Sequence, residues 1–340
     1  MKRFWIGLKL GLTGLLDKEL RSRSRGWRSV LLLTGYLGAL ALGAAGFLSL
    51  TMRNGEPLRP SVGAQFFAIL ATGFVVLLAL VTPALTAGSI SGERERKTLD
   101  LLLITQASPL GVIIGKWLGS VFYTLFLLTT SLPAFALVYL FGGVPPVHLG
   151  MVMAVAAVTA LTYSALGLLL SAIFKRTGVA SLVTYLLVFT LVLGLPFVGM
   201  IQRSTAMRYD KFGGMTSQTP AYAYASPLTA VSSVLPGNTG GYGGGIIQEL
   251  LQRAIGFGIP TPMPAPPAGF GRVQVVVAVD PQNGQPEFGE AWAPWVYFFA
   301  ISGAVLLISI PAATWAIAPV KFWQAWRVRR RNRAVARAGA

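Results

Sequence analysis

The chain has 340 residues, of which 54% are hydrophobic and only 11% charged, with a mean hydropathy of +0.64 and a net charge of +17. A soluble domain carries about a quarter charged residues, so this composition excludes one and indicates a polytopic membrane protein. The absence of cysteine excludes disulfides, thiolate chemistry and cysteine metal sites, and one histidine with eleven acids argues against a metal centre of the usual ligands.

In residues 1–28 the apolar Phe4, Trp5, Leu8, Leu12, Leu15, Leu16 and Leu20 recur at spacings of three and four, against Lys2, Lys9, Lys18 and Arg21. The pattern predicts an amphipathic helix with a Trp and a basic face, suited to a membrane interface. The same charges also serve as a positive flank of the first span. The apolar run beginning near Val30 starts too late and continues too far for a cleavable signal.

Uncharged runs of about 20 residues can cross the hydrocarbon core. Six are present, near residues 30–50, 65–87, 112–141, 149–173, 179–201 and 294–318. The third carries Lys116 near its start and Pro133 in its interior, where a kink is expected. Lys and Arg are distributed unevenly between the two sides. The N-tail, 88–116, 174–178 and the C-tail hold twenty-one of them against five acids, and the other side holds seven against six. By the positive-inside rule both termini are cytoplasmic, and topology accounts for the net charge without any nucleic acid. The C-tail places Phe322, Trp323 and Trp326 beside Arg327, Arg329, Arg330, Arg331 and Arg333, an interfacial anchor for anionic membrane lipid.

The second and third spans are separated by a charged interruption, 88–116, reading GSISGERERKTLDLLLITQASPLGVIIGK. Glu93, Arg94, Glu95, Arg96, Lys97 and Asp100 crowd together before an apolar run at 101–104, and Ser108-Pro109 turns the chain. A short helix lying across the cytoplasmic membrane surface is expected. Glu93 and Lys97 stand at i,i+4, an order that supports a helix by a few tenths of a kcal/mol. On charge pattern alone, the stretch is a solvated run at a membrane surface.

With Glu93, Glu95, Lys97, Thr98, Leu99, Asp100, Leu101, Leu102, Thr105, Ser108, Pro109, Gly115 and Lys116 in this order, the stretch resembles the corresponding loop of ABC type-2 permeases, the membrane subunits of many ABC exporters. The resemblance implies a coupling helix that docks on an ATP-binding subunit through Glu93, Glu95, Lys97, Thr98, Leu99, Asp100 and Leu102. It implies that 1–28 is the family's elbow helix, with Glu19, Arg21, Arg23 and Arg25 near its end, and that Glu93 or Glu95 pairs with Arg23 or Arg25. It also implies a transporter subunit and not an enzyme, placed in the plasma membrane beside a second permease chain, identical or different. No cofactor is expected on this chain; ATP and magnesium belong to the partner.

The fold class is therefore an all-α polytopic membrane protein: an elbow helix at 1–28, spans one to five within 29–201 with the coupling loop at 88–116, an external segment at 202–293, the sixth span at 294–318 and a basic tail at 319–340. The external segment is rich in Gly, Pro and aromatics. Ile246, Ile247, Leu250, Leu251, Ala254 and Ile255 make a helical stripe, 262–267 is expected to be extended, and 273–279 is short, β-branched and bounded by Arg272 and Asp280-Pro281, so it reads as a strand. A partly ordered external cap is expected. The family's connection there is shorter and re-entrant, so the segment departs from it.

Other chemistries lack their parts. Gly111 to Trp117 superficially suggests a phosphate loop, but the glycine spacing is one residue short and Trp117 stands where Ser or Thr must hold magnesium. His148, beside Pro145-Pro146, reads as a loop residue without catalytic partners. Thr129, Thr130, Ser131, Ser164 and Ser171 are small polar residues of the kind that bond across helix interfaces. An ion-coupled secondary transporter would need an intramembrane acidic or histidine relay, or repeated halves, and neither is legible. An external enzyme would draw on Asp210, Glu249, Asp280, Glu287 and Glu290, which show no catalytic spacing. A structural protein whose partner reads the external segment is the remaining alternative.

Overall fold

A computed structural model describes residues 27–53, 60–99, 109–206, 221–235, 272–279 and 286–317. Six helical runs within it are long and apolar enough to cross a membrane: Ser29–Arg53, Val62–Glu95, Pro109–Phe141, Pro146–Ile173, Thr177–Gly199 and Pro294–Ile317. They match the six expected spans in order and, at most ends, to within a few residues. The expected elbow at 1–28, apart from its last two residues, the stripe at 246–255, the extended 262–267 and the basic tail lie outside the described residues.

In chain order the helices are α1 (Trp27–Arg53), α2 (Pro60–Thr86), α3 (Ser91–Glu95), α4 (Pro109–Thr130), α5 (Leu132–Phe141), α6 (Pro146–Ile173) and α7 (Thr177–Phe189). A π-helical turn (Thr190–Gly194) joins α7 to α8 (Leu195–Ala206). Beyond these come a 3-10 turn (Ala221–Ala225), α9 (Pro227–Val234) and, after an antiparallel ribbon, α10 (Pro294–Ile317). The ribbon pairs β1 (Arg272–Val279) with β2 (Pro286–Trp292), from Arg272 opposite Trp292 to Val279 opposite Pro286, with an irregularity between Val276 and Ala278. The strand expected at 273–279 is thus present, and the bundle itself is helical. The turn around α3 and the α6–α7 connection, with Lys175 and Arg176, mark the bundle's basic end; the start of α2 and the α5–α6 connection mark the opposite end.

Helix α6 is the central post, packed against α2, α4, α7 and α10. Its sequence is apolar on all sides, as a helix surrounded by others must be, and Val152, Val155, Ala156, Ala160, Tyr163, Ala165 and Leu168 are buried. Close approach depends on glycine: a Cβ on Gly167 would collide with the Thr86 hydroxyl, and one on Gly63 with the Gly142 carbonyl. In contrast, α1 is peripheral and turns Leu31, Leu42 and Leu50 outward, as a lipid-facing helix does.

The third span breaks where Pro133 predicts. Pro133 has no N–H for the carbonyl four residues back, and the chain is interrupted between α4 and α5. The Ser131 hydroxyl donates to the Leu128 carbonyl (2.6 Å), while the Ala134 and Phe135 amides converge on the Ser131 carbonyl. The break aims Phe135 at α2, where Phe67 and Phe74, seven residues apart on one helical face, meet it edge-on with centroids 5.9 and 5.4 Å away. Thr129, Thr130 and Ser164 also donate to carbonyls of their own helix. This corrects the expectation of cross-helix bonds at these positions, because a carbonyl one turn back is always within reach. Ser171 is the exception described below.

The largest correction concerns the segment after the fifth span. Part of it is not an external cap. Residues 221–235 re-enter the bundle, and Pro227, Leu228, Thr229, Ala230, Val231 and Val234 are all buried. Helix α9 packs on α2, α6 and α10. Leu228 lies deep, with Ala79 and Tyr163, while Val231 and Val234 join the main core. Tyr224 stacks on Tyr297 of α10 at 4.9 Å. His148 is not a loop residue either. It sits in the first turn of α6, and its Nδ1 donates to the Val234 carbonyl at 2.6 Å, capping the end of α9.

Candidate functional site

The charged turn predicted between the second and third spans is held by three different spans. Helix α2 leads into it through a tight turn, with the Ala87 amide bonded to the Pro83 carbonyl (2.8 Å) and Ser89 to Thr86 (3.0 Å). Helix α3 then begins at an N-cap, Ile90, that has no polar side chain to satisfy the first amides. Ser171, from the end of α6, supplies the missing cap. The Ile90 and Ser91 amides both donate to its Oγ at 3.0 Å, and the two serine hydroxyls lie 3.2 Å apart.

Glu93 is the third residue of α3. Its Oε1 lies 2.9 Å from Nζ of Lys116 on α4, whose side chain is only 8% exposed. A buried ammonium requires a counter-charge, and Glu93 provides it. The other carboxylate oxygen, Oε2, is buried without a hydrogen-bond partner among the described residues. Two residues on, Glu95 reaches the start of α7. Its carboxylate accepts from the Thr177 amide (2.8 Å) and the Thr177 hydroxyl (2.9 Å). The N-cap of α7, Arg176, makes no side-chain cap of its own, so Glu95 caps α7 from another element and meets the positive end of its dipole. The bonds from the Thr177 amide and hydroxyl, and then the Arg176 charge, hold the Glu95 carboxyl below the usual carboxylate range, against slight desolvation.

Apolar contacts pin the same turn from below. Ile90 and Leu99 are buried with Ile113 of α4, Leu168 and Ala172 of α6, and Ala313 and Ile317 of α10. Between these pins the backbone reverses at Lys97, whose φ of 57° is left-handed, and its amide bonds to the Arg94 carbonyl at 3.1 Å. The expected i,i+4 pair of Glu93 and Lys97 therefore does not form. Helix α3 ends at Glu95, before Lys97 can occupy the next turn, and Glu93 is drawn inward to Lys116. Arg96, Lys97 and Thr98 are exposed, with the Thr98 hydroxyl donating to the Glu93 carbonyl at 3.2 Å.

The residues singled out from sequence thus separate into two sets. Glu93, Glu95 and Leu99 face the rest of this chain, while Lys97 and Thr98 face out. Asp100 and Leu102, with Glu19, Arg21, Arg23 and Arg25 of the expected elbow, lie outside the described residues. Sequence reading missed Ser171 and Thr177 as partners of the turn. Lys116 left a signal, as a cation inside an otherwise uncharged run; a serine and a threonine at helix ends did not. Gly111, Gly115 and Lys116 lie within α4, so this stretch is helical and not a phosphate-cradling loop. Among the described residues, no three His, Cys, Asp or Glu gather into a metal site.

The family described as ABC-2 family transporter protein matches residues 52–311, from the end of α1 to within α10. The chain belongs to the ABC-2 transporter family. The match includes the clamped turn, the broken third and fifth spans and the re-entrant α9. No curated protein matches the chain. As an ABC-2 family protein with six helices long and apolar enough to span among the described residues, it is a multi-pass membrane permease, a transport component.

Proposed function

We propose that this ABC-2 permease is the membrane half of an ATP-driven exporter. It works with a separate ATP-binding subunit that carries ATP and magnesium, and with a second permease chain, identical or related. Both termini face the cytoplasm and the complex resides in the plasma membrane, as the distribution of Lys and Arg supports.

The observation that carries the reading is the three-way clamp on α3. Ser171, Lys116 and Thr177 belong to the fourth, third and fifth spans, so a force applied to this short turn is delivered to three spans together. Arg96, Lys97 and Thr98 are exposed, as is Glu95, but only Glu95 is engaged with another span; the other three form the docking tip of the turn, presenting two cations to the partner. Glu93, Glu95 and Leu99 transmit the push inward. Away from their ends, the described spans carry one ionised side chain, Lys116, and it is already paired, which favours an apolar or amphiphilic cargo over a charged one.

Purification of the tagged protein from its own membranes in mild detergent, with mass spectrometry of what accompanies it, tests this. A stoichiometric partner with a phosphate-binding loop is expected, and it should be lost when 93–103 is replaced by a neutral linker. Recovery of the chain alone, from membranes without ATP-dependent activity, would overturn the assignment.

A further inference from the structure

The fifth span is two rods with a joint between them. Pro196, in the first turn of α8, offers no N–H to the Val192 carbonyl four residues back. The chain instead widens into the π turn Thr190–Gly194, closed by the Leu195 amide on the Thr190 carbonyl. The Val192 carbonyl, which Pro196 deprives of its α-helical donor, is met by the re-entrant segment. The hydroxyl of Ser226, the N-cap of α9, donates to it at 3.2 Å in a fully buried position, and the same oxygen accepts from the Leu228 amide at 3.3 Å. One hydroxyl therefore bridges the break in the fifth span and the start of α9.

Two further observations give this joint a direction. The other end of α7 is the one capped by Glu95, so a single thirteen-residue rod carries the charged turn at one end and the joint at the other. Beside the joint, Tyr163 packs with Val188, Val192 and Leu228. Tyr163 is 2% exposed, and its phenol has no hydrogen-bond partner among the described residues. A buried hydroxyl without a partner is costly in this arrangement.

We propose that Ser226 is a positioning residue for transport. It fastens α9 to the hinge of the fifth span, so that displacement of the charged turn, carried along α7, draws α9 out from between α2, α6 and α10. In the displaced arrangement the Tyr163 phenol takes over the Val192 carbonyl that Ser226 gives up. This rests on the ATP-driven reading above, and it adds the link from the docking turn to the far side of the bundle.

The chain has no cysteine, so Leu235→Cys, a buried position at the end of α9, reports on the motion without knowledge of the cargo. The purified complex in lipid nanodiscs is treated with a charged maleimide, with and without magnesium–ATP and orthovanadate. Trapping should raise the labelling rate about tenfold, as expected when a mostly closed population becomes mostly open. Ser226→Ala should abolish the rise without lowering ATP hydrolysis, and Ser226→Thr should retain it. Pro196→Ala restores an N–H for Val192; it should abolish the rise by itself and make Ser226→Ala silent in the double variant. Tyr163→Phe should reduce the rise. A full rise in Ser226→Ala, or no ATP-dependent change in a complex that hydrolyses ATP, overturns the joint while leaving the permease reading intact. If Ser226→Ala does not yield a folded complex, Pro196→Ala decides, and a full rise there overturns the proposal. Absence of any ATPase from the complex removes both.

Discussion

The turn around α3 and the re-entrant α9 face the same problem, since each brings unsatisfied helix ends against the spans, and they solve it with different chemistry. At the basic end the partners include charges. Glu93 meets Lys116 and Glu95 caps α7, with Ser171 completing the set. Around α9 the contacts are uncharged hydroxyls and carbonyls, with a single imidazole at the outer end. The difference follows from depth. A carboxylate retains access to water at the end of a bundle, whereas between the spans its desolvation cost would exceed what one partner returns. The first contact set therefore responds to charge, and the second to shape and to single hydrogen bonds.

The comparison breaks most sharply at Glu93. Glu93→Ala leaves the Lys116 ammonium buried without a counter-charge, and a loss of about 3 kcal/mol is expected from breaking such a pair. This should appear as a lower midpoint of thermal inactivation in detergent, with ATP-dependent transport abolished and membrane insertion unchanged. Adding Lys116→Met should restore most of the stability but not the transport. If the double variant is as unstable as the single one, the ion pair is not the cause.

A smaller effect is expected at the outer end of α9. His148→Phe keeps the ring but removes the donor to the Val234 carbonyl, which corresponds to about 1 kcal/mol. In the Leu235→Cys reporter, the resting labelling rate should rise several-fold, consistent with that free energy. An unchanged resting rate would show that packing alone holds α9 in place.

The smallest effect is expected at Glu95, which is exposed and screened. Because its folded pKa is lowered, its contribution is fully present above the ordinary glutamate range, about pH 4.3, and is lost as pH falls through the depressed value. Exchange protection of the Thr177 amide should therefore weaken only under acid conditions, and in Glu95→Gln it should lose that pH dependence. A wild-type amide whose protection ignores pH would separate the cap from the carboxylate.

Much of the architecture was legible because a bilayer imposes a simple test on a sequence. Six uncharged runs, the Pro133 break and the strand near 273–279 needed only length, hydropathy and local chemistry. The contacts within the site were less legible. Glu93 and Lys97 had the spacing of a helical pair, but a left-handed turn at Lys97 ended the helix first, and a cation twenty-three positions later took the carboxylate. The re-entrant α9 was missed because eight residues cannot register as a span, and its short apolar stretch lies in a segment dominated by Gly and Pro.

By itself the sequence determined that the chain holds six runs long and apolar enough to cross a membrane, and where a charged turn interrupts them. Those follow from transfer free energies summed residue by residue, a property of composition and order. Only the tertiary structure decided that Ser171 caps α3, that Gly167 must lack a side chain opposite Thr86, and that Ser226 takes the carbonyl Pro196 leaves open. Each of these depends on one atom meeting another from a distant part of the chain, and hydrogen bonds and steric contacts act only over a few ångströms.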